Sequence, residues 1–336
     1  MKPPSITLAM RPDRTQHVLP PELLVRLEQL GLLLDTTPMT TFTDDRARRL
    51  LAETEILVTG WGAPLFDATA LASTPNLRLV AHAAGTVKGI VGPWVFDAGV
   101  RVTHAAQANA LPVAEFTLAA IIFAGKNVFR FRDLYVGQRD RTLTHPLQAE
   151  PIGNYRRVVG IVGASRIGRR VIELLRPFDY AVLLYDPMVS EGEAADYQVE
   201  KVDLDTLFTR ADIVSLHAPS LPQTHHMVDA RRLSLMKNGA TLINTARGAL
   251  IDEDALLETL KTGAINAIID VTDPEIPRRT SPFYDLPNVF LTPHIAGAVG
   301  LERTRLGETV IDEIVRFING RPLRYEVRGQ DLERMA

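Results

Sequence analysis

Six short apolar runs, at 158–162, 182–185, 213–216, 241–244, 267–270 and 289–291, are separated by longer, mostly amphipathic stretches through the second half of the chain. Several are apolar on both faces of the strand alternation. A strand with one face in water alternates, so these runs call for a parallel sheet covered by helices on both sides. Residues 6–10, 56–59, 77–81 and 100–103 repeat the rhythm in the first half, with helices expected at 21–30, 44–53, 67–72 and 92–98. Two long helices are expected to bracket the second half, one at 113–132 and one from about Leu301 to Asn319-Gly320. At 336 residues the chain exceeds what one hydrophobic core usually holds, which points to two domains.

A formal net charge of −3 and the absence of cysteine narrow the chemistry. That charge gives no general attraction to nucleic acid. Without cysteine there is no thiolate nucleophile, no disulfide and no Cys-ligated metal. His225 and His226 are adjacent, so on a helix or strand their rings diverge, and no metal site is expected. The apolar stretch 113–124 contains Glu115, is followed by Lys126, and reads as a buried helix too short to span a bilayer. Met1-Lys2 leads into prolines instead of an apolar signal segment. A cytoplasmic protein with neither membrane nor nucleic acid as partner is expected.

The sharpest local signal is Val-Val-Gly160-Ile-Val-Gly163-Ala-Ser165-Arg166-Ile167-Gly168-Arg169. A strand enters, glycines turn the chain, and a helix leaves with exposed N–H groups that can hold a pyrophosphate. Gly163 permits the turn, Gly168 permits close packing of helix on sheet, and either Arg166 or Arg169 can add positive charge or simply face solvent. Ser165 stands where the dinucleotide fingerprint normally has glycine. Asp186 ends the next strand, 18 residues after Gly168, where a carboxylate accepts hydrogen bonds from adenosine ribose hydroxyls. It would repel a 2′-phosphate, so NAD(H) is preferred over NADP(H). His217 ends another strand on the path of such a cofactor.

Three further strand ends carry groups suited to moving a hydride and a proton. They are Asn244-Thr245-Ala246-Arg247-Gly248, Asp270 through Glu275, and Thr292-Pro293-His294-Ile295-Ala296-Gly297. Reducing a keto group develops alkoxide charge, which calls for a proton donor and a cation beside it. His294 is assigned as that acid, and as base in the reverse direction. Glu275 is expected to orient its other nitrogen and stabilise the imidazolium. Arg247 offers a fork for a substrate carboxylate and polarises the keto oxygen. Asp270 is expected near the nicotinamide end. A glycine-flanked serine elbow and a phosphate loop are both missing, which argues against a hydrolase or a nucleoside-triphosphate enzyme.

These motifs, with Asn109-Ala-Leu-Pro-Val-Ala-Glu115, His217-Ala218-Pro219 and Met236 through Gly248, resemble the D-isomer-specific 2-hydroxyacid dehydrogenases. The resemblance is dense in the second half and loose in the first. It implies two Rossmann-like or flavodoxin-like doubly wound parallel-sheet domains separated by an active-site cleft. A discontinuous substrate domain, 1–108 plus 301–336, would flank an NAD-binding domain at 109–300. The resemblance also implies catalytic Arg247, Glu275 and His294, and a substrate carboxylate on Ala84, Gly85, Thr86 and Arg247. Cofactor contacts are implied from Gly163, Ser165, Arg166, Ile167, Gly168, Asp186, His217, Ala218, Pro219, Thr245, Ala246, Asp270, His294 and Gly297. The substrate would be a small 2-keto or 2-hydroxy acid, and the assembly a homodimer. The alternative is a non-catalytic NAD(H)-binding sensor or corepressor of the same fold. Where the family commonly has Gly-Val-Asp, this chain has Gly85-Thr86-Val87-Lys88, which leaves the identity of the substrate open.

Overall fold

The computed structural model describes residues 2–334. The chain forms two compact units, residues 1–110 with 298–336, and residues 111–297. Each is a doubly wound α/β unit.

In the first unit the strands β1 (Ser5–Ala9), β2 (Leu32–Leu33), β3 (Ile56–Thr59), β4 (Leu79–His82) and β5 (Arg101–His104) lie in the order β2-β1-β3-β4-β5, all parallel. A short antiparallel strand, Glu326–Val327, joins the β5 edge. Alternate residues of the strands feed two separate cores. Ile6, Leu8, Ile56, Val58, Leu79 and Ala81 pack with Val310 and Ile314 of the last long helix. Leu57, Val80 and Val102 pack with Leu51, Phe66 and Val95 on the other side. Both faces are therefore covered, as the two-sided apolar runs require.

In the second unit β6 (Val158–Val162), β7 (Ala181–Tyr185), β8 (Glu200–Lys201), β9 (Ile213–Leu216), β10 (Thr241–Asn244), β11 (Asn266–Ile269) and β12 (Val289–Leu291) form one parallel sheet. Its order is β12-β11-β10-β9-β6-β7-β8. Strand order reverses between β6 and β9, the topological switch point at which open α/β sheets bind ligands. In the first sheet the corresponding reversal lies between β1 and β3.

The expected helix at 113–132 is corrected in two respects. It starts earlier, as Ala106–Gly125, and accommodates Pro112. It then breaks, because Asn127 adopts φ +54°, and a separate helix Val128–Gln138 follows. Ala106–Gly125 is also long and apolar enough, by length and composition alone, to cross a membrane, and half of that window is buried within the protein. The last long helix is Thr304–Ile318, preceded by a tighter turn at Gly300–Arg303. Gly320 follows at φ +64°, the left-handed position that ends helices. His225 and His226 also differ from expectation. His226 has φ +51°, the pair lies in a turn, and the two rings stack 3.9 Å apart. Among the described residues no group of three or more His, Asp or Glu side chains is placed to hold a metal ion.

Candidate active site

The glycine turn follows β6 at the switch point. Gly163 has φ +99°, and a Cβ there would lie 2.7 Å from the Ala218 nitrogen, so the turn after β6 presses directly against the segment after β9. A Cβ on Gly168 would meet the Gly163 carbonyl oxygen at 2.1 Å. Only glycine fits either position without moving backbone. Ser165 takes a role the fingerprint does not suggest. It is the N-cap of the helix Arg166–Leu175, and its hydroxyl accepts the Gly168 N–H at 3.3 Å. The N–H groups of Arg166 and Ile167, in the first turn of that helix, have no intrahelical carbonyl to meet. They are the donors left for an anion.

Asp186 lies just after β7 and turns toward the glycine loop. Its carboxylate accepts the Ala164 N–H and the Met188 N–H, both at 2.7 Å. It therefore braces the turn while retaining lone pairs for ribose hydroxyls. His217 is 3% exposed, and burial pushes its imidazole down to about 3, so it is neutral at any working pH. Its Nε2 meets the Ser215 hydroxyl at 2.9 Å, and among the described residues its Nδ1 has no partner. Ala218 is buried and Pro219 half-buried beside it. Two unshared helix N–H groups, a carboxylate one strand over and an orphaned ring nitrogen fit a dinucleotide.

The chemical groups stand on β10, β11 and β12, neighbours in the sheet. After β10 the Asn244 side chain braces the loop, accepting from the Ala246 N–H and donating to the Arg247 carbonyl. Thr245 is buried, its hydroxyl 3.0 Å from that of Thr117. Burial lowers the Arg247 guanidinium below its usual range, and the charge of Glu275 opposes that shift.

Glu275 in turn hydrogen-bonds His294 through Nδ1. That leaves Nε2 as the nitrogen facing outward, on a ring 45% exposed. His294 holds a left-handed backbone, φ +53°, uncommon for a residue with a Cβ. Asp270 explains how this conformation is kept. Its carboxylate accepts the Thr292 hydroxyl at 2.6 Å, the Ile295 N–H at 2.8 Å and the Ala296 N–H at 2.9 Å, and its carbonyl accepts the His294 N–H at 2.9 Å. Expected beside the nicotinamide, Asp270 is 1% exposed and clamps the loop that carries His294, with Gly297 half-buried at the end of that loop.

Two supports were not read from the sequence. Thr272 donates across the turn to the carbonyls of Pro274 and Glu275. Glu253, whose carboxyl is raised mainly by burial, accepts the Asp273 N–H at 2.6 Å. Gly248 allows this approach, since a Cβ there would lie 2.1 Å from the Thr272 carbonyl carbon.

In the first unit, Ala84–Gly85–Thr86 follows β4, with Ala84 buried and Gly85 and Thr86 half-buried. His82 is buried and neutral, lowered to about 3 by burial, and holds the Thr59 hydroxyl at 2.8 Å and a hydrogen bond with the Thr86 backbone. Val87 fills the core, and Lys88 is exposed, bridged to Val91 across a tight turn.

Residues 119–296 match the family model described as D-isomer specific 2-hydroxyacid dehydrogenase, NAD binding domain. A glyoxylate reductase of Korarchaeum cryptofilum is 34% identical over 256 residues, covering 76% of this chain and 77% of that protein. A D-3-phosphoglycerate dehydrogenase of Methanocaldococcus jannaschii is 30% identical over 297 residues, 88% of this chain and 55% of that protein. The chain thus spans about half the length of the phosphoglycerate dehydrogenases it matches. The D-lactate dehydrogenase of Aquifex aeolicus, solved with NAD and lactic acid, superposes with a TM-score of 0.69 at 26% identity, covering 94% of this chain and 96% of that one.

Proposed function

The chain belongs to the D-isomer-specific 2-hydroxyacid dehydrogenases, and from that premise we propose that it interconverts a small 2-keto acid and its D-2-hydroxy acid with NAD(H). The observation that carries the reading is the hydrogen bond from Glu275 to His294 on adjacent strand ends, with Arg247 at the end of the neighbouring strand. Bound NADH supplies the hydride that reaches the keto carbon. The chain's residues do the rest. Arg247 pairs with the substrate carboxylate and draws electron density toward the keto oxygen. His294, its Nδ1 held by Glu275, delivers a proton from Nε2 to the oxygen as the carbonyl becomes a hydroxyl, and in the reverse direction takes that proton back. In the first unit, the backbone of Ala84, Gly85 and Thr86 offers donors to a substrate carboxylate.

The helix N–H groups of Arg166 and Ile167 hold the pyrophosphate and Asp186 holds the adenosine ribose. A 2′-phosphate would sit against that carboxylate, so NAD(H) is preferred over NADP(H). Homodimer formation is part of the proposal. Tyr135, Val136 and Leu143 in the second unit are each at least 45% exposed, an apolar surface suited to a second copy.

The test is a panel of 2-keto acids, glyoxylate, hydroxypyruvate and pyruvate among them, assayed with NADH and with NADPH. At least one keto acid is expected to be reduced, faster with NADH. NADH binding with no turnover of any keto acid would favour a sensor and overturn the reading.

A further inference from the structure

The switch point of the first sheet carries a charge arrangement that the hydride chemistry does not use. Arg11 follows β1 and Trp61 follows β3, the two strands between which the order reverses. The Arg11 N–H donates to the Trp61 carbonyl at 3.0 Å, so the two loops meet there. Arg14 stands in the helix Pro12–Val18, and Arg303 in the turn before the last long helix. The first of these helices is tied to the start of the last long helix, directly after Arg303, by the Thr304 hydroxyl donating to the His17 carbonyl.

Three guanidinium groups surround one carboxylate, and two of them pair with it. Asp13 pairs with Arg11 at 3.0 Å and with Arg14 at 3.4 Å. Arg303 makes no ion pair among the described residues. Its guanidinium lies over the Trp61 ring, 5.7 Å from the centroid, and its Nε donates to the Ala298 carbonyl at 3.3 Å. The nearby Glu302 carboxylate is turned back onto the Val299 N–H. Burial lowers the Arg303 guanidinium below its usual range, Arg14 lowers it further, and Asp13 only partly offsets this. The cluster therefore holds surplus positive charge, with Arg303 partly withdrawn from water and Arg11 and Asp13 more than half exposed.

This surplus also adjoins the Ala84–Thr86 loop. A Cβ on Gly85 would lie 3.5 Å from the Asn109 side-chain nitrogen, the oxygen of that side chain accepts the Ala298 N–H at 3.2 Å, and the Ala298 carbonyl takes the bond from Arg303. Asn109 and Ala298 together thus link the loop to the arginine.

We propose that Arg303, with Arg14 and Arg11 around Trp61, is a subsite for a second anionic group on the substrate, so that the preferred 2-keto acid carries a terminal carboxylate or phosphate. This rests on the keto-acid reading above, and it names a substrate class for that site. Arg303 is the anchor because it alone of the three lacks a carboxylate. Trp61 gives the substrate's carbon chain an apolar wall and holds the guanidinium in place.

The test compares acids matched in carbon skeleton: 2-oxovalerate against 2-oxoglutarate, and hydroxypyruvate against its phosphate ester, with NADH. The wild-type kcat/KM is expected to be at least about tenfold higher for one dianionic member over its partner, and which pair shows it separates carboxylate from phosphate. Arg303→Gln is expected to collapse that ratio toward one, chiefly through KM. Calorimetric titration of 2-oxoglutarate and of phosphohydroxypyruvate into the full chain gives a readout independent of turnover. Binding of one of them by the wild type, weakened about tenfold in Arg303→Gln, supports the subsite even if no keto acid is reduced. Equal kcat/KM within both pairs, or a ratio and a Kd unchanged by Arg303→Gln, overturns it.

Discussion

The two sheets offer the same kind of ligand edge and furnish it differently. In the second unit, the groups assigned to chemistry come from three consecutive strand ends, from Asn244 to Gly297, and nearly every one is fixed by a hydrogen bond to its own or the neighbouring loop. In the first unit, the edge is assembled from Arg11, Trp61, Ala84–Thr86, Asn109 and Arg303, drawn from both ends of the chain. Proton and hydride transfer tolerate little displacement, so their groups sit on short loops whose backbone is itself braced. Recognition of a substrate's remote end tolerates more, and can be built from pieces far apart in sequence.

If that contrast holds, damage in the second unit should strike turnover and damage in the first should strike selectivity. The largest expected effect is from Arg247→Lys. A point charge cannot reproduce the guanidinium fork, and kcat/KM should fall about a thousand-fold for every keto acid alike. A loss confined to some substrates would move Arg247 into the selectivity class and break the comparison.

A smaller effect is expected at Glu253. Replacing it with Leu leaves the Asp273 N–H without its acceptor and loosens the turn that carries Glu275. A lost bond of this kind is worth about 1.5 kcal/mol, so kcat should fall about tenfold with NADH affinity kept. Glu253→Gln, which preserves an accepting oxygen, should recover most of it. Equal losses in Leu and Gln would assign the residue's role to its charge instead of its bond.

A different kind of effect concerns stability, which leaves turnover at neutral pH untouched, and here the two units should behave alike. Each buries a histidine held neutral, His82 in the first and His217 in the second, both lowered to about 3. Below about 6.5 an unfolded chain takes up protons that the folded one refuses. The stability associated with each histidine is therefore complete above pH 6.5, and is lost between 6.5 and about 3 at roughly 1.4 kcal/mol per pH unit. Urea titrations across that range should show the slope, and His217→Asn should remove it from the second unit's transition only. A slope shared by both transitions would mean the units unfold together.

Much of the second unit was legible because its strands are apolar on both faces and because its glycines stand where a Cβ has no room, as Gly163 and Gly168 show. What escaped was orientation. Sequence places Asp270 at a strand end but does not say which way its carboxylate turns, and it turns inward onto Thr292, Ile295 and Ala296. Ser165 reads as a departure from the fingerprint, yet it caps the helix. Glu253 reads as an ordinary acidic residue in a first helical turn. The helix break at Asn127 was missed because a left-handed asparagine leaves no mark on an apolar pattern. In the first unit nothing local joins Arg11 to Arg303, so the cluster around Trp61 exists only once the chain is folded.

The central claim is that His294, held by Glu275, moves the proton. Single-turnover reduction of the best keto acid by NADH-loaded His294→Ala, beside the wild type, tests it most directly. The account predicts a rate about a thousand-fold lower with NADH still bound tightly. A rate within tenfold of wild type would contradict it.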